Sequence, residues 1–266
     1  MNDQIVTDDG TLTQYLGEAK NLVVNDGVRC ISSSAFARAP YLEEIVFPAS
    51  IVEIEERAFA GHGNLRKVTF PEQCKLVRIG AGAFSLCDNL QNICIPDSVA
   101  VIESFAFESC KKLSKAVLTE NSSLTAIGEY AFISCDSLKT IHLPETLLKI
   151  GRGAFAACVG LDTIEIPSGI TVLEAEVFCG CQSLKDLRLP KKLTEIGEAC
   201  FCSCSRLKEI YIPAEVRSIE AETFKFCSSL RKVIIESKQV KIHPSAFQQS
   251  GYDLKWNLIQ WAKKYI

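Results

Sequence analysis

The residues best suited to chemistry crowd into one stretch. Ala199 to Leu207 reads ACFCSCSRL, with Cys200, Cys202 and Cys204 on alternate positions. Cys179 and Cys181 stand just upstream and Arg206 just after. Thiolates in such a group could hold zinc, which takes four Cys or His ligands, commonly as spaced pairs such as C-x2-C. One thiol of Cys179–Cys204 could instead serve as a nucleophile, given surroundings that favour its ionised form. Cys200 and Arg206 also satisfy C-x5-R, the spacing of a phosphate-binding loop in which successive backbone N–H groups curl around the anion. Against these readings, no His stands near the stretch, the C-x2-C spacing is missing, and FCSCS contains no Gly for such a loop. The histidines His62, His142 and His243 are too far apart in sequence to form a dyad. Nothing here assembles a nucleophile, a base and an oxyanion hole, so no enzyme activity, metal or cofactor is expected.

What must position these cysteines is a repeat. Phenylalanine recurs at 36, 59, 84, 107, 132, 155, 178, 201, 224 and 247, in steps of 23 or 25 residues. Leucine stands six residues later (Leu42, Leu65, Leu90 and onward), an aliphatic nine later, and proline twelve later, as in Pro48, Pro144 and Pro190. An Ile or Leu precedes each Phe by five. In CDSLKTIHLPETLLKIGRGAF, the alternation in LKTIHLP predicts a half-buried strand, and proline ends it because it has no N–H to give a ladder. TLLKIG predicts a second short extended piece, and AF returns the ring inward. A unit this small cannot bury its apolar face alone, so the units must stack into one core. About ten rungs at a strand spacing of ~4.8 Å make a mainly β solenoid ~48 Å long. The two steps of 25 residues lengthen one loop, at PEQCKLVRIG and TENSSLTAIG.

The organisation follows. Residues 1–27 form an N-terminal cap with a partial rung through Leu22 and Val24, and 28–250 form the solenoid. In 251–266, Leu254, Leu258, Ala262 and Tyr265 fall at helical spacing, which predicts a closing helix covering the last rung with Trp256 or Trp261.

The unit AFxxCxxLxxIxIPxxLxxIGxxAF resembles the BspA-like leucine-rich repeat family, from about Val28 to Ala246. The resemblance implies a right-handed leucine-rich-repeat superhelix that binds proteins and carries out no chemistry. It also implies a cell-surface location and an adhesin-like role as one alternative.

Within the repeat the cysteines take a plainer meaning. Cys87, Cys110, Cys135, Cys158, Cys181, Cys204 and Cys227 all stand three residues after a Phe, a column otherwise holding Ala39, His62 and Ser250. Free Cys packs as a small hydrophobe with a weak S–H donor, so a ladder of reduced thiols is expected. Gly80, Gly128, Gly151 and Gly197 share the column four before Phe and are expected to serve a turn that needs special backbone angles.

Composition bounds the rest. With 266 residues and 47% hydrophobic, the chain can bury a large core. Lys and Arg number 29 against 32 Asp and Glu, a net charge of −3, which argues against nucleic acid or an anionic membrane as partner. No apolar run reaches the ~18 residues of a membrane span. The start, MNDQIVTDDGTLTQ, has neither a basic n-region nor an apolar h-region, so a cytoplasmic, monomeric protein with thirteen reduced cysteines is expected.

Function is then expected on the outward residues of the main strands, since the inward ones are committed to core. His142, Glu165, Arg188 and Tyr211 (ten after Phe) and Asp186 and Glu209 (eight after Phe) gather on one strip. Arg and Tyr are enriched among interface hot spots. The plainer alternative is a solvated face on which Glu165, Arg188, Asp186 and Glu209 neutralise one another across strands. A partner protein bound by this strip is the first reading. A metal- or thiol-dependent protein and a self-associating structural rod are the alternatives.

Overall fold

Alternation, followed by proline in seven of the coils, dictates the first strand. In the computed structural model, which describes residues 3–237 and 239–252, ten such strands run from Asn21–Val23 and Glu44–Val46 to Glu209–Ile212 and Lys232–Ile235. In Thr140–His142 the middle residue is buried and both flanks face solvent. The strands pair in parallel with no slip from coil to coil, so Thr140 lies beside Thr163 and Asp186, and His142 beside Glu165 and Arg188. Strand pairing is continuous over the first five strands, the next three, and the last two.

Proline then turns the chain. The N–H of Leu147 donates to the Pro144 carbonyl at 3.0 Å, and that of Leu193 to Pro190 at 3.0 Å. A second, two-residue strand follows in each coil, from Cys30–Ile31 to Lys241–Ile242, again parallel to its neighbours. The solenoid of about ten turns foreseen from the phenylalanine spacing is the observed architecture.

The core is one continuous cluster from Leu12 to Phe247. Its axis is the phenylalanine column, whose successive rings stack with centroids 4.7 to 5.9 Å apart. Each stacked pair contributes about 0.5–1.5 kcal/mol beyond the area it buries. Tyr15 closes the stack at one end, 5.7 Å from Phe36, and Tyr252 at the other, 5.2 Å from Phe247. The closing helix expected over 251–266, with Trp256 and Trp261, lies outside the described residues beyond Tyr252.

At the other end the partial rung is present, with Leu22 and Val24 buried. It is joined by a hairpin the sequence reading missed. Gln4–Val6 pairs antiparallel with Thr11–Tyr15, which in turn extends the second sheet beside Cys30–Ile31. The signal was there in Asp9-Gly10, a turn pair between two short alternating runs.

The glycine column needs correction. Gly80, Gly128, Gly151 and Gly197 are absent from the positive-φ residues, so no special backbone angle requires them. They are there because the previous coil passes too close. A Cβ on Gly128 would stand 2.4 Å from the Ser104 nitrogen, and one on Gly151 2.7 Å from the Glu129 nitrogen. Where Glu103 occupies this column, its carboxylate accepts the Ala81 N–H of the previous coil at 3.0 Å. Among the described residues no helix is long and apolar enough to cross a membrane.

Candidate functional site

The structure sorts the cysteine-rich stretch by depth. Cys200 and Cys204 are fully buried, Cys200 in the column otherwise held mostly by Ala. Cys179 and Cys202 sit half-buried in equivalent places on adjacent coils. Burial, then the neighbouring Cys202, pushes the Cys179 thiol up to about 12. That is the opposite of what a nucleophile or metal ligand needs. Among the described residues no three His, Cys, Asp or Glu converge where they could hold a metal ion. The C-x5-R spacing also dissolves in three dimensions. Cys200 is in the core, Arg206 is exposed, and the intervening N–H groups are already bound: Phe201 to Thr223 O, Ser203 to Lys225 O and Cys204 to Phe201 O. No N–H array is left for a phosphate.

The ladder thiols do more than fill space. Each Sγ–H donates to the carbonyl of the phenylalanine one coil back. Cys87 reaches Phe59 O at 3.2 Å, Cys135 reaches Phe107 O at 3.2 Å, Cys158 reaches Phe132 O at 3.0 Å and Cys227 reaches Phe201 O at 3.0 Å. Cys110, Cys181 and Cys204 repeat the bond at 3.1 to 3.2 Å. In the coil where His62 stands in this column, its Nε2–H takes over the same task on Phe36 O at 3.1 Å. Cysteine therefore persists because it is small, apolar and still able to donate a second, coil-to-coil bond to a buried carbonyl that already accepts the N–H three residues on, as Phe59 O accepts that of His62 at 3.1 Å. The one clue in the sequence was that the column's bulky exception, His62, is also a donor.

The sheet face carries the remaining candidates. His142, Glu165 and Arg188 are exposed and stand abreast on three consecutive strands. Glu209 and Tyr211 lie on the next strand, where the ladder is interrupted, so they are not hydrogen-bonded to that trio. Tyr211 is 44% exposed and has Ile234, 41% exposed, beside it in register. The expected mutual neutralisation fails for the residues whose side chains can be placed. Glu165 and Arg188 are directly opposite, yet neither makes an ion pair among the described residues. Glu209 instead pairs with Lys232 at 3.0 Å, because both occupy the same column of adjacent coils. The face thus offers an uncommitted guanidinium beside an exposed tyrosine.

Comparison with known proteins agrees with this architecture. The model of the BspA-type leucine-rich repeat region, in six copies, matches residues 14–136 and 125–253. A leucine-rich repeat protein from T. pallidum is 32% identical, with a TM-score of 0.58 over 77% of this chain and 86% of that one. One from Bacteroides ovatus is 20% identical, TM-score 0.59, over 94% and 83%. One from Eubacterium ventriosum is 17% identical, TM-score 0.58, over 93% and 92%. The last two share the fold alone. No curated protein matches the chain.

Proposed function

The chain belongs to the BspA-type leucine-rich repeat family, and on that premise we propose that it is a non-catalytic module recognising a protein partner through the outward face of its main sheet. The observation that supports this reading is the contrast between the two sides of each strand. Inward residues such as Ile141, Ile164 and Ile210 are locked in the core, while outward ones such as Arg188 and Tyr211 are exposed and uncommitted. Buried Tyr and Arg anchors contribute ~2 kcal/mol or more each to the interfaces in which they are hot spots.

The double variant Arg188→Glu/Tyr211→Ala is expected to abolish partner capture by the immobilised protein while leaving the melting temperature unchanged. Capture equal to that of the parent would place the site elsewhere on the solenoid.

Thiols retained as hydrogen-bond donors suit a reducing compartment. The intact mass of the protein purified without reductant is expected to equal the bare chain with thirteen free thiols. A mass two hydrogens light per bridge would point instead to an oxidising compartment and favour an adhesin-like role at a cell surface.

A further inference from the structure

Near the carboxyl-terminal end of the solenoid, the side on which the main strands begin is densely cationic. Lys185, Lys208 and Arg231 occupy one column on three consecutive coils, with Arg206 and Lys232 flanking it. These five cations line a shallow depression whose other members are Ser229 and the single carboxylate Glu209. In a chain of net charge −3 this is a strong local excess. Clustered like charge opposes folding through its own repulsion, so nothing in the stability of the solenoid asks for it. The corresponding depression nearer the amino terminus is more balanced, with Glu44 beside Arg66 and Lys67 and neutral Gln91 and Asn92 completing the wall.

Three of the five cations have internal partners. Lys185 pairs with Asp162 at 3.0 Å and Lys232 with Glu209 at 3.0 Å. Arg231 donates to the Ser228 and Leu230 carbonyls at 2.7 and 3.0 Å. Arg206 and Lys208 are exposed and, among the described residues, make no ion pair or side-chain hydrogen bond. Two residues along the same strands from Glu209 and Lys232 stand Tyr211 and Ile234, side by side and exposed. A basic depression therefore borders an apolar pair.

We propose that this depression docks an acidic segment of a protein partner, with carboxylates on Arg206 and Lys208 and an adjoining apolar side chain on Tyr211 and Ile234. The inference rests on the sheet face being a protein-binding surface and adds the chemistry of what it binds. A polypeptide fits better than a nucleic acid for two reasons. Tyr211 borders the depression, but no run of aromatic rings lines it on which successive bases could stack. Glu209 within it would repel a phosphate chain, whereas it can accept a peptide N–H.

The test uses the full chain and a fluorescein-labelled peptide in which Glu and Asp flank a central Leu-Phe pair, followed by anisotropy at low and high salt. Arg206→Glu/Lys208→Glu is expected to weaken binding about ten-fold or more at low salt, with added salt weakening the parent complex. Tyr211→Ala, or a peptide with Ser-Ser in place of Leu-Phe, is expected to weaken binding several-fold. Both replaced cations lack internal partners, so an unchanged melting temperature checks that the fold is intact. Absence of peptide binding at low salt, or binding indifferent to the double reversal, overturns the proposal. So does tighter binding of oligothymidylate or heparin that ignores Tyr211→Ala, which would mark a general polyanion surface. Partner capture lost in Arg188→Glu/Tyr211→Ala but kept in Arg206→Glu/Lys208→Glu would sink the acidic-segment inference alone. Capture indifferent to both would sink the protein-binding face as well.

Discussion

Above pH 9, with reductant present, this protein is expected to unfold cooperatively, at a temperature where it is fully folded at pH 7. The cause is the thiol ladder together with the buried Cys200. Burial pushes up the thiols of Cys87, Cys110, Cys135, Cys158, Cys181, Cys200, Cys204 and Cys227, with Cys110, Cys158 and Cys227 reaching about 12. An unfolded thiol ionises near pH ~8.5. The sign is therefore fixed. Between the unfolded and folded values the unfolded chain has lost protons that the folded chain retains, so stability falls as pH rises. Each such thiol removes about 1.4 kcal/mol by one pH unit above its unfolded value. Eight of them together remove roughly 11 kcal/mol, comparable with the ~5–15 kcal/mol total stability of an ordinary domain. Below the unfolded value the contribution is whole, and the thiols place no limit at neutral pH. Ionisation would also abolish the S–H donors that hold the phenylalanine carbonyls. Circular-dichroism melts at successive pH values measure the effect. A melting temperature that stays level from pH 7 to pH 10 would show that the thiols are not held buried and neutral. Replacing one ladder cysteine by Ala should make the decline measurably shallower.

The second large effect is expected from the ring stack. Phe155→Ala removes a fully buried ring that lies 5.5 Å from Phe132 and 5.9 Å from Phe178. The loss of transfer energy together with the cavity should cost about 3–5 kcal/mol. Because the ring of each coil stacks only on those of its neighbours, the cavity also weakens both interfaces at once, and the two halves should begin to unfold separately. In urea this appears as a lower midpoint with a broadened transition. Phe247→Ala, at the 8%-exposed end of the column where Phe224 is the only phenylalanine it stacks on, should cost about half as much. Equal costs at the two positions would contradict coupling along the stack.

The fold was legible wherever burial repeats. Phe, Leu, Ile and Pro mark their columns because coil after coil puts them in the same surroundings, and a single sequence then contains ten readings of the Phe column, nine of the Leu column and seven of the Pro column. What failed to show were features that leave no compositional mark. From the coil of Phe59 to that of Phe224, the positions two before and two after Phe adopt positive φ, yet they hold Arg57, Leu86, Phe105, Tyr130 and Glu176 as readily as Gly82 or Gly180. Their strain is offset by bonds to the next coil, such as Arg57 N–H to Ala81 O and Gly61 N–H to Ser85 O, both at 2.8 Å. The glycines four before Phe were misread because glycine answers two needs, a rare angle and a close approach, and only coordinates tell them apart. The acceptors of the ladder thiols were hidden for the same reason, since Phe132 O and Cys158 are 26 residues apart.

The candidate surface was half legible. Alternation identified which strand residues face outward, and His142, Glu165, Arg188 and Tyr211 do so. It could not say which charges pair. Coil-to-coil geometry joins Glu209 to Lys232, both in the column eight after Phe, and leaves Arg188 uncommitted. The cationic depression escaped notice because Arg206 and Lys208 stand before the strand, where no alternation singles them out.

The unslipped register of the strands has one more consequence. Each column contributes a single residue per coil, at intervals of ~4.8 Å, so the outward face is written like a tape with one character per line. A new character in one coil leaves the others where they were. Duplicating or deleting a 23-residue stretch of Phe-to-Phe sequence would lengthen or shorten the tape by whole lines, with thiol, ring and carbonyl meeting the same neighbours across the splice. The chemistry of such a surface can therefore change by copying and editing coils, with no need to redesign a core.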